Sequence, residues 1–486
     1  MFLALPKEMR KDFKQKLIYV KENWLNDIRF WILLFFTLRL YGITNAPLEM
    51  GHNWRQSLTN MIARNFLQID NNILYPRIDV NGNKPGIMAT EFPMFNYLIY
   101  IIAKIFGYAH WYGRLINLVI SSIGIFYFYK IIKRFFSESL AFYAVLILLS
   151  SLWFAHSRKS MPDTFCISVV IIGIYYGLIY LYENKRVHLL LFIILSSLAV
   201  LCKIPAVYLL SVMAIPMFDK TIPVKNKIYI SAGGLFVLLV MCIWYFYWDP
   251  YLLATYKVQL YFPRGLLEGF KDLINYATDT FEKFYFIALE SFVAFGLFLA
   301  GLYFMIREKQ KVLVLVFVIA SGIFFLFMCK TGYVFSTHSY YIIPYVPIMA
   351  LITGFAIIQI KKVRIRIVLI TVILIEGLLN QQDDFRIRDS EKYKLEMEPV
   401  ANKVTAKNDL VAINGDKSPQ VMYFLNRRGW SLSNSDISNL TTIDSIKLQG
   451  CKYVFIDKNN LPLVDLSKSF KTVYNDVNFA VYSLGN

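Results

Sequence analysis

The chain has 486 residues, of which 57% are hydrophobic, 17% aromatic and only 17% charged, and its mean hydropathy is +0.47. Soluble domains carry about a quarter charged residues, so this composition excludes an ordinary soluble protein. The apolar residues lie in long blocks, which is typical of lipid-facing helices. The sequence therefore predicts an α-helical polytopic membrane protein.

The charge balance is strongly basic. The chain carries 51 Lys and Arg against 33 Asp and Glu, a formal charge of +18. Basic residues of membrane proteins gather in cytoplasmic loops and meet anionic lipid, so we expect membrane lipids, and not nucleic acid, as partners of this charge. The five cysteines lie apart, without disulfide or zinc spacing.

The predicted membrane spans begin after a basic segment, residues 1–27. The first apolar run, Ile28 to Ile43, has no small-residue cleavage site behind it and predicts an uncleaved span. Further runs bring the total to about eleven spans, several of them shorter than the ~20 residues that a perpendicular helix needs. These runs are Tyr112–Tyr129, Leu140–Phe154, Thr164–Tyr182, Leu189–Cys202, Ile204–Phe218, Ile228–Tyr247, Phe284–Ile306, Val312–Cys329, Tyr341–Ile360 and Ile367–Leu379.

The basic loops predict the orientation. If the N-terminus is cytoplasmic, alternation of the spans places every basic cluster on that side. The clusters are Lys130/Lys133/Arg134, Lys185/Arg186, Lys225/Lys227, Arg307/Lys309/Lys311 and Lys361/Lys362/Arg364/Arg366. An odd number of spans then exports residues 381–486. We expect an integral membrane protein, with a bacterial inner membrane as its location.

Two long loops face outward in this topology. The first, residues 44–111, contains an apolar stretch from Met94 to Phe106 that is too short to cross. Counting it as a span would invert every later basic loop, so we expect an interfacial or re-entrant helix. The second loop, Trp248 to Lys283, suits a lid, a lipid entrance or an inert connector. Residues 28–380 thus form the predicted transmembrane catalytic domain.

Residues 381–486 differ abruptly in composition from the rest. Predicted helices and short apolar strands alternate there, which favours a small α/β domain outside the membrane. The helices are Glu391–Lys407, Gln420–Asn426 and Thr441–Leu448, and the strands are Asp409–Asn414, Tyr453–Asp457 and one or two within Val473–Leu484.

Ionisable residues accumulate on the predicted outer side. They are His52, His110, His156, His338, Asp79, Glu91, Asp163, Arg55, Arg64, Arg77, Lys84, Arg158 and Lys159. Charges at membrane depth are costly unless they face a watery cavity, so they indicate a functional site, although a solvated loop charge is the alternative for each.

This mixture of carboxylates and cations suits a reaction in which a hydroxyl loses a proton while a phosphate leaves. A carboxylate can act as the base, and Arg, Lys and His can hold the developing phosphate charge. A polyprenyl-phosphate sugar supplies such a leaving group at the outer leaflet. The sequence therefore indicates transfer of a sugar at the membrane.

Six stretches resemble, in their order along the chain, the GT-C-type integral-membrane glycosyltransferases, especially the dolichyl-phosphate-mannose protein mannosyltransferases and the lipid A aminoarabinose transferases. The stretches are His52–Phe66, Tyr75–Asp79, Thr90–Tyr97, Arg158–Asp163, Cys202–Pro205 and His338–Pro347. The resemblance extends over residues 28–380. It implies a GT-C-like fold and an undecaprenyl- or dolichyl-phosphate sugar donor.

The resemblance also implies roles for particular residues. The family uses a carboxylate of the first outward loop as catalytic base, commonly in an Asp-Glu pair ahead of an Ile-Ala-Arg helix. Here Arg55 and Gln56 stand at that place, so Asp79 or Glu91 is the expected base. Asp163 is expected to orient the acceptor or the donor, and a role as a helix-start acid is its alternative.

Further residues are expected to contact the donor or the acceptor. Those expected to bind the donor phosphate are Arg55, Arg158, Lys203 and His338. Those expected to make other substrate contacts are His52, Trp54, Lys84 and Tyr340. The alternative for Lys203 is that its side chain only extends to the membrane interface. The alternative for Trp54 is that it belongs to the interfacial aromatic belt.

The predicted function is transfer of a sugar from a polyprenyl-phosphate donor to a protein, lipid or glycan acceptor, with a carboxylate as general base. A polymerase or ligase of lipid-linked oligosaccharides and a lipid or solute transporter are the rival functions. Intramembrane charges suit a transporter too, but the sequence shows no internal duplication. No metal site is predicted, and a divalent cation is allowed without being required.

Overall fold

The structure is a computed structural model that describes residues 24–259, 263–460 and 464–485. A bundle of helices is followed by a smaller unit of helices and strands. Of the predicted basic N-terminal segment, residues 1–23 lie outside the described residues.

The bundle contains long helices together with short and irregular ones. Ser137 caps the start of one long helix, where its hydroxyl accepts from the Leu140 amide at 3.2 Å. The α-helices are α1 Ile28–Arg39, α2 Asn53–Gln68, α3 Met94–Phe106, α4 Tyr112–Phe135, α5 Glu138–Ser150, α6 Leu152–Ala155, α7 Pro162–Glu183, α8 Arg186–Cys202, α9 Ala206–Leu210, α10 Val224–Ile243, α11 Asp249–Tyr256, α12 Leu266–Asn275, α13 Ala277–Glu282, α14 Phe292–Arg307, α15 Lys311–Thr331, α16 Tyr333–Thr337, α17 Val346–Gln359 and α18 Val363–Asn380.

Fewer helices than the sequence predicts are long and apolar enough, by length and composition, to cross a membrane. Among the described residues, five helices are long and apolar enough to cross a membrane, or seven if two bent helix pairs each count as one span. The five are Tyr112–Phe135, Pro162–Glu183, Val224–Tyr256, Lys311–Thr331 and Ser339–Gln359. The predicted count of about eleven is therefore not confirmed.

Local backbone chemistry explains several of the differences. The predicted span Ile204–Phe218 consists of the short α9 and a 3-10 helix, Ser211–Phe218, that contains Pro216. The predicted span Phe284–Ile306 is bent by 92°, and Glu290 at the break has a positive φ of 54°. The predicted helix Met94–Phe106 is present with these bounds and is 13 residues long.

The C-terminal unit has the predicted alternation of helices and strands. Its α-helices are α19 Asp389–Lys392, α20 Met397–Val404, α21 Gln420–Leu425, α22 Asn434–Ile437 and α23 Leu440–Leu448. Its strands are β1 Leu410–Ile413, β2 Arg428–Ser431, β3 Cys451–Asp457, β4 Lys471–Asn475 and β5 Phe479–Ser483, in the sheet order β2-β1-β3-β5-β4. The sequence missed β2 and α22. Strands β2, β1 and β3 are parallel, and β5 and β4 continue the sheet antiparallel.

The C-terminal unit packs on α2 and the loop that follows it. Tyr423 of α21 is buried there, and its hydroxyl lies 2.6 Å from both the Tyr108 hydroxyl and the His110 Nδ1. The Arg64 guanidinium of α2 lies over the Tyr423 ring at 4.6 Å and donates to the Tyr423 carbonyl. A shared apolar core joins the two units. This packing fixes the C-terminal half of α2, the helix whose first turn carries part of the candidate site.

Candidate functional site

A cavity of about 480 Å³ lies where the ends of several helices meet. It is lined by side chains from the start of α2, the turn before α3, the segment after α8, the start of α11 and the turns around α12 and α16. Of the predicted site residues, those that line it are Trp54, Arg55, Glu91, Lys203, His338 and Tyr340. The fold thus gathers six predicted residues that are up to 286 positions apart in the sequence, from 54 to 340.

Arg55 and Glu91 form an ion pair on the cavity wall. Arg55 lies in the first turn of α2 and is 8% exposed, and Glu91 lies in the turn that leads into α3. The Thr90 hydroxyl donates to the second carboxylate oxygen of Glu91 at 3.2 Å. This pair therefore presents one cation and one anion to the same cavity.

Lys203 and Asp163 form a second ion pair at the edge of the cavity. Asp163 follows Pro162 at the start of α7 and is 5% exposed, and its Oδ2 atom has no hydrogen-bond partner among the described residues. The Lys203 ammonium also lies 5.0 Å from the centre of the Tyr340 ring. A small recess lined by Asp163, Lys203 and Tyr340 adjoins the cavity, because the last two residues line both. Asp163 thus occupies the first turn of a helix, as its alternative role requires, and also has a carboxylate oxygen without a partner among the described residues.

Two histidines lie on the side of the cavity formed by residues 338–341. The His52 Nε2 is 3.0 Å from the Ser339 hydroxyl, and its ring packs against Tyr340 at 5.2 Å. Burial, reinforced by the charge of Lys159, holds the pKa of His52 well below its usual value. Burial also lowers the pKa of His338. Both rings are therefore neutral at pH 7. His338 lines the cavity and can interact with a phosphate through hydrogen bonds but not as a cation, whereas His52, which was predicted to contact substrate, packs against Tyr340 outside the lining.

Asp79, one of the two predicted bases, does not line the cavity. Its carboxylate is buried, 3.3 Å from the Arg64 guanidinium and 2.9 Å from the Asn65 amide, and its carbonyl accepts from the Gly429 amide. Burial raises the pKa of Asp79 against the opposing effect of Arg64. The contacts of Asp79 thus tie α2 to β2 of the C-terminal unit.

Arg158 and Lys84 also lie outside the cavity lining. The Arg158 guanidinium donates to the carbonyls of Tyr41, at 2.6 Å, and Asp384, and it stacks over the Phe385 ring at 4.4 Å. Lys84 is exposed, and its carbonyl accepts from Arg428 of β2. Arg158 therefore holds the segment that follows α18 in place.

Sequence reasoning missed three cavity residues, one at the end of the predicted span Ile228–Tyr247 and two in the second outward loop. Tyr245, Asp249 and Arg264 all line the cavity. The sequence signal was the Trp-Asp-Pro-Tyr motif at residues 248–251, which marks an acid beside a proline at the end of an apolar run. Of the loop, residues 260–262 lie outside the described residues.

No group of three or more His, Cys, Asp or Glu side chains within the described ranges is arranged to hold a metal ion.

The comparisons with known proteins concern both sequence and fold. Residues 84–248 match the family model described as dolichyl-phosphate-mannose-protein mannosyltransferase. No curated protein sequence matches the chain. The family match covers the turn with Glu91, both members of the Lys203–Asp163 pair and the helix that leads to Asp249.

Solved structures with a similar fold cover nearly the whole chain. ArnT from Cupriavidus metallidurans bound to undecaprenyl phosphate is 12% identical, with a TM-score of 0.64 over 94% of this chain and 98% of that chain. The Archaeoglobus fulgidus oligosaccharyltransferase tethered with an acceptor peptide is 12% identical, with a TM-score of 0.57 over 96% of this chain and 75% of that chain.

A third similar structure is the oligosaccharyltransferase AglB from Archaeoglobus fulgidus, in complex with an inhibitory peptide and a dolichol-phosphate. It is 10% identical, with a TM-score of 0.53 over 88% of this chain and 69% of that chain. The match to the mannosyltransferase model and the fold of the whole chain together confirm the resemblance to the GT-C-type integral-membrane glycosyltransferases.

Proposed function

We propose that the chain transfers a sugar from a polyprenyl-phosphate donor to an acceptor hydroxyl or amide outside the cytoplasm. The observation that carries the proposal is the cavity that joins the Arg55–Glu91 pair to the Lys203–Asp163 pair. Cations that meet a phosphate and carboxylates that meet sugar or acceptor hydroxyls are the groups that such a transfer needs.

The donor phosphate is assigned to Lys203 and Arg55, with the neutral His338 ring as a hydrogen-bonding neighbour. Each cation is held by a carboxylate, so its position is set before the donor arrives. Glu91 and Asp163 are assigned the binding and orientation of hydroxyl groups on the sugar and the acceptor. The free Oδ2 atom of Asp163 leaves it an acceptor site for such a hydroxyl.

The polyprenyl chain is assigned to the side of the cavity formed by α12. Glu268 of this helix and Arg264, which precedes the helix, line the cavity. The outer face of this helix exposes Leu266, Leu267, Phe270 and Ile274. A helix with one apolar face outward suits the membrane interface, where a lipid donor arrives. This assignment supports a lipid entrance among the roles predicted for the second loop.

The ligands of similar structures support a lipid-linked donor. The ArnT structure contains undecaprenyl phosphate, and the AglB structure contains a dolichol-phosphate. The sugar and the acceptor are assigned only by class: a hexose or pentose and a protein, lipid or glycan.

We expect purified chain in nanodiscs to release undecaprenyl monophosphate from an undecaprenyl-phosphate sugar. A panel of hexose and pentose donors is offered with envelope protein, lipid and glycan fractions, and the released lipid is identified by mass spectrometry. Release of a diphosphate from diphosphate-linked donors alone would instead support the polymerase or ligase. If no donor reacts and undecaprenyl phosphate does not bind, the proposed function is wrong.

Sidedness gives a separate prediction. We expect a Lys84→Cys variant to react in intact cells with a maleimide that cannot cross the membrane, because Lys84 is exposed and lies in the predicted outward loop. The matched control is Lys309→Cys, since Lys309 is exposed in the predicted cytoplasmic loop between α14 and α15. Four of the five native cysteines, Cys166, Cys202, Cys329 and Cys451, are buried, and the partly exposed Cys242 is replaced by Ser in both variants to remove its background. Labelling of the control alone would reverse the topology and contradict the proposed function.

A further inference from the structure

Asp249 lines the cavity and belongs to neither ion pair. It follows a π-helical turn, Trp244–Trp248, that continues α10 into α11. Such turns frequently occur at functional sites, because the extra residue re-aims the side chains that follow. Tyr245 and Asp249, four positions apart, both line the cavity.

The π-helical turn is fixed against the segment that carries Glu91. The Trp244 indole donates to the Thr90 carbonyl at 3.0 Å, and its ring packs edge-on against Phe92 at 4.9 Å. The Tyr245 hydroxyl donates to the Leu201 carbonyl at 2.8 Å, close to Lys203 in the sequence. These contacts fix the position of Asp249 relative to both ion pairs.

The environment of Asp249 differs from that of the other acids in this region. Within the described parts of the chain, Asp249 has no ion pair, and its buried Oδ1 atom has no hydrogen-bond partner. Glu91 faces Arg55, Asp163 faces Lys203, and Asp272 faces Arg264 at 3.1 Å. Glu268 accepts from the Gly265 amide at the start of α12.

These differences decide which carboxylate can take a proton. A neighbouring cation stabilises the ionised form of a carboxylate and makes it a poor proton acceptor. A carboxylate that is partly removed from water and has no cation gains most from protonation. Glu91 and Asp163 are thus suited to receive hydrogen bonds, and Asp249 is suited to receive the proton itself.

We propose that Asp249 is the general base of the sugar transfer, a role that rests on the function proposed above. The acceptor O–H bond breaks, and its proton passes to the Asp249 carboxylate. The acceptor oxygen forms the new bond to the anomeric carbon. The bond from that carbon to the phosphate oxygen breaks, and its electron pair leaves with the polyprenyl monophosphate.

This assignment also accounts for Arg55. The motif that this chain resembles carries an acid pair where Arg55 and Gln56 stand, and Arg55 neutralises the acid that comes nearest to it, Glu91. The base is then supplied by a different element, the helix that follows the π-helical turn and packs against the segment with Glu91.

The test is the pH dependence of kcat/KM for full-length chain in nanodiscs, with the donor that the panel identifies. Wild type is expected to lose activity at low pH as one group becomes protonated. Asp249→Asn is expected to lower kcat about 100- to 10,000-fold, to abolish this acid limb and to leave undecaprenyl phosphate binding unchanged. Asp249→Glu is expected to restore part of the rate together with the acid limb.

Two variants serve as comparisons. Glu91→Gln is expected to be slower but to keep the acid limb. Asp279→Asn removes an exposed carboxylate on α13, outside the cavity lining, and is expected to behave as wild type.

Several results would overturn the assignment. They are a wild-type acid limb in Asp249→Asn, a rate within about threefold of wild type in that variant, or loss of the limb in Glu91→Gln. If Asp249→Asn does not fold, Asp249→Glu decides, because a carboxylate with a longer side chain at the position of the base is expected to shift the acid limb and lower kcat, and an unchanged limb with a normal rate would overturn the assignment. Failure of wild type to react with any donor is a different result, which overturns the proposed function itself.

Discussion

The Glu91→Gln variant is expected to transfer sugar about 10- to 100-fold more slowly than wild type, because a hydrogen bond from substrate to a charged carboxylate is worth about 1.5–3 kcal/mol. Glu91 lines the cavity, where Arg55 and Thr90 fix its two oxygens. The measurement is the initial rate of undecaprenyl phosphate release. Gln keeps the shape of the side chain and removes its charge.

Asp79→Asn is the matched comparison for Glu91→Gln, because both residues are predicted bases and both changes remove one carboxylate charge. Asp79 is 4% exposed and contacts Arg64, Asn65 and the C-terminal unit. Burial raises its pKa against the effect of Arg64, and Asp79→Asn leaves that buried guanidinium without its carboxylate, so we expect a lower melting temperature and a normal rate in the folded fraction. Normal folding with loss of transfer in Asp79→Asn, and a normal rate in Glu91→Gln, would make Asp79 the base.

The sequence could identify the two ion pairs only as separate residues. Asp163 follows Pro162 at the start of a helix, and Lys203 lies two residues before Pro205 at the end of another, so the sequence alone indicates that each lies at a helix end. Their pairing requires α7 and α8 to run antiparallel, with the start of one beside the end of the other. That arrangement is tertiary packing, which periodicity along one helix does not encode.

Arg158 shows why charge and sidedness alone do not assign a role. The sequence gives a cation near the predicted outer face, which suits a phosphate. In the fold its guanidinium is buried and satisfied by backbone carbonyls, including that of Tyr41. A buried arginine needs hydrogen-bond acceptors, and the free carbonyl groups at the ends of helices supply them as readily as a ligand does.

Asp249 shows the reverse case, a candidate site residue that the sequence alone does not identify. The sequence indicates that the apolar run ends at Tyr247 and predicts that Asp249 lies in the loop that follows. The helix instead continues to Tyr256, because a π-helical turn and Pro250 in the first turn of α11 let it pass this point. A π-helical turn leaves no clear mark in composition, so the cavity residues beyond it became visible only in three dimensions.

Removal of Lys203 is expected to have the largest combined effect on stability and binding. In Lys203→Met, Asp163 stays buried without its cation, which costs about 3–5 kcal/mol of unfolding free energy. Loss of the phosphate contact lowers transfer about 100- to 1,000-fold. Melting temperature in detergent and undecaprenyl phosphate binding are the two measurements.

Variants of Asp163 separate the two effects of Lys203. Asp163→Asn frees the Lys203 ammonium from its carboxylate, so we expect undecaprenyl phosphate to bind at least as tightly as to wild type while transfer falls. The double variant Lys203→Met/Asp163→Asn removes both buried charges and is expected to recover the melting temperature but not the binding. If the double variant also regains binding, Lys203 only neutralises Asp163, and the donor phosphate must be held by Arg55 and its neighbours. A cation that only stabilises the fold can be removed together with its carboxylate partner without loss of binding. A cation that binds the ligand cannot, because its removal still lowers ligand binding when the partner is also removed.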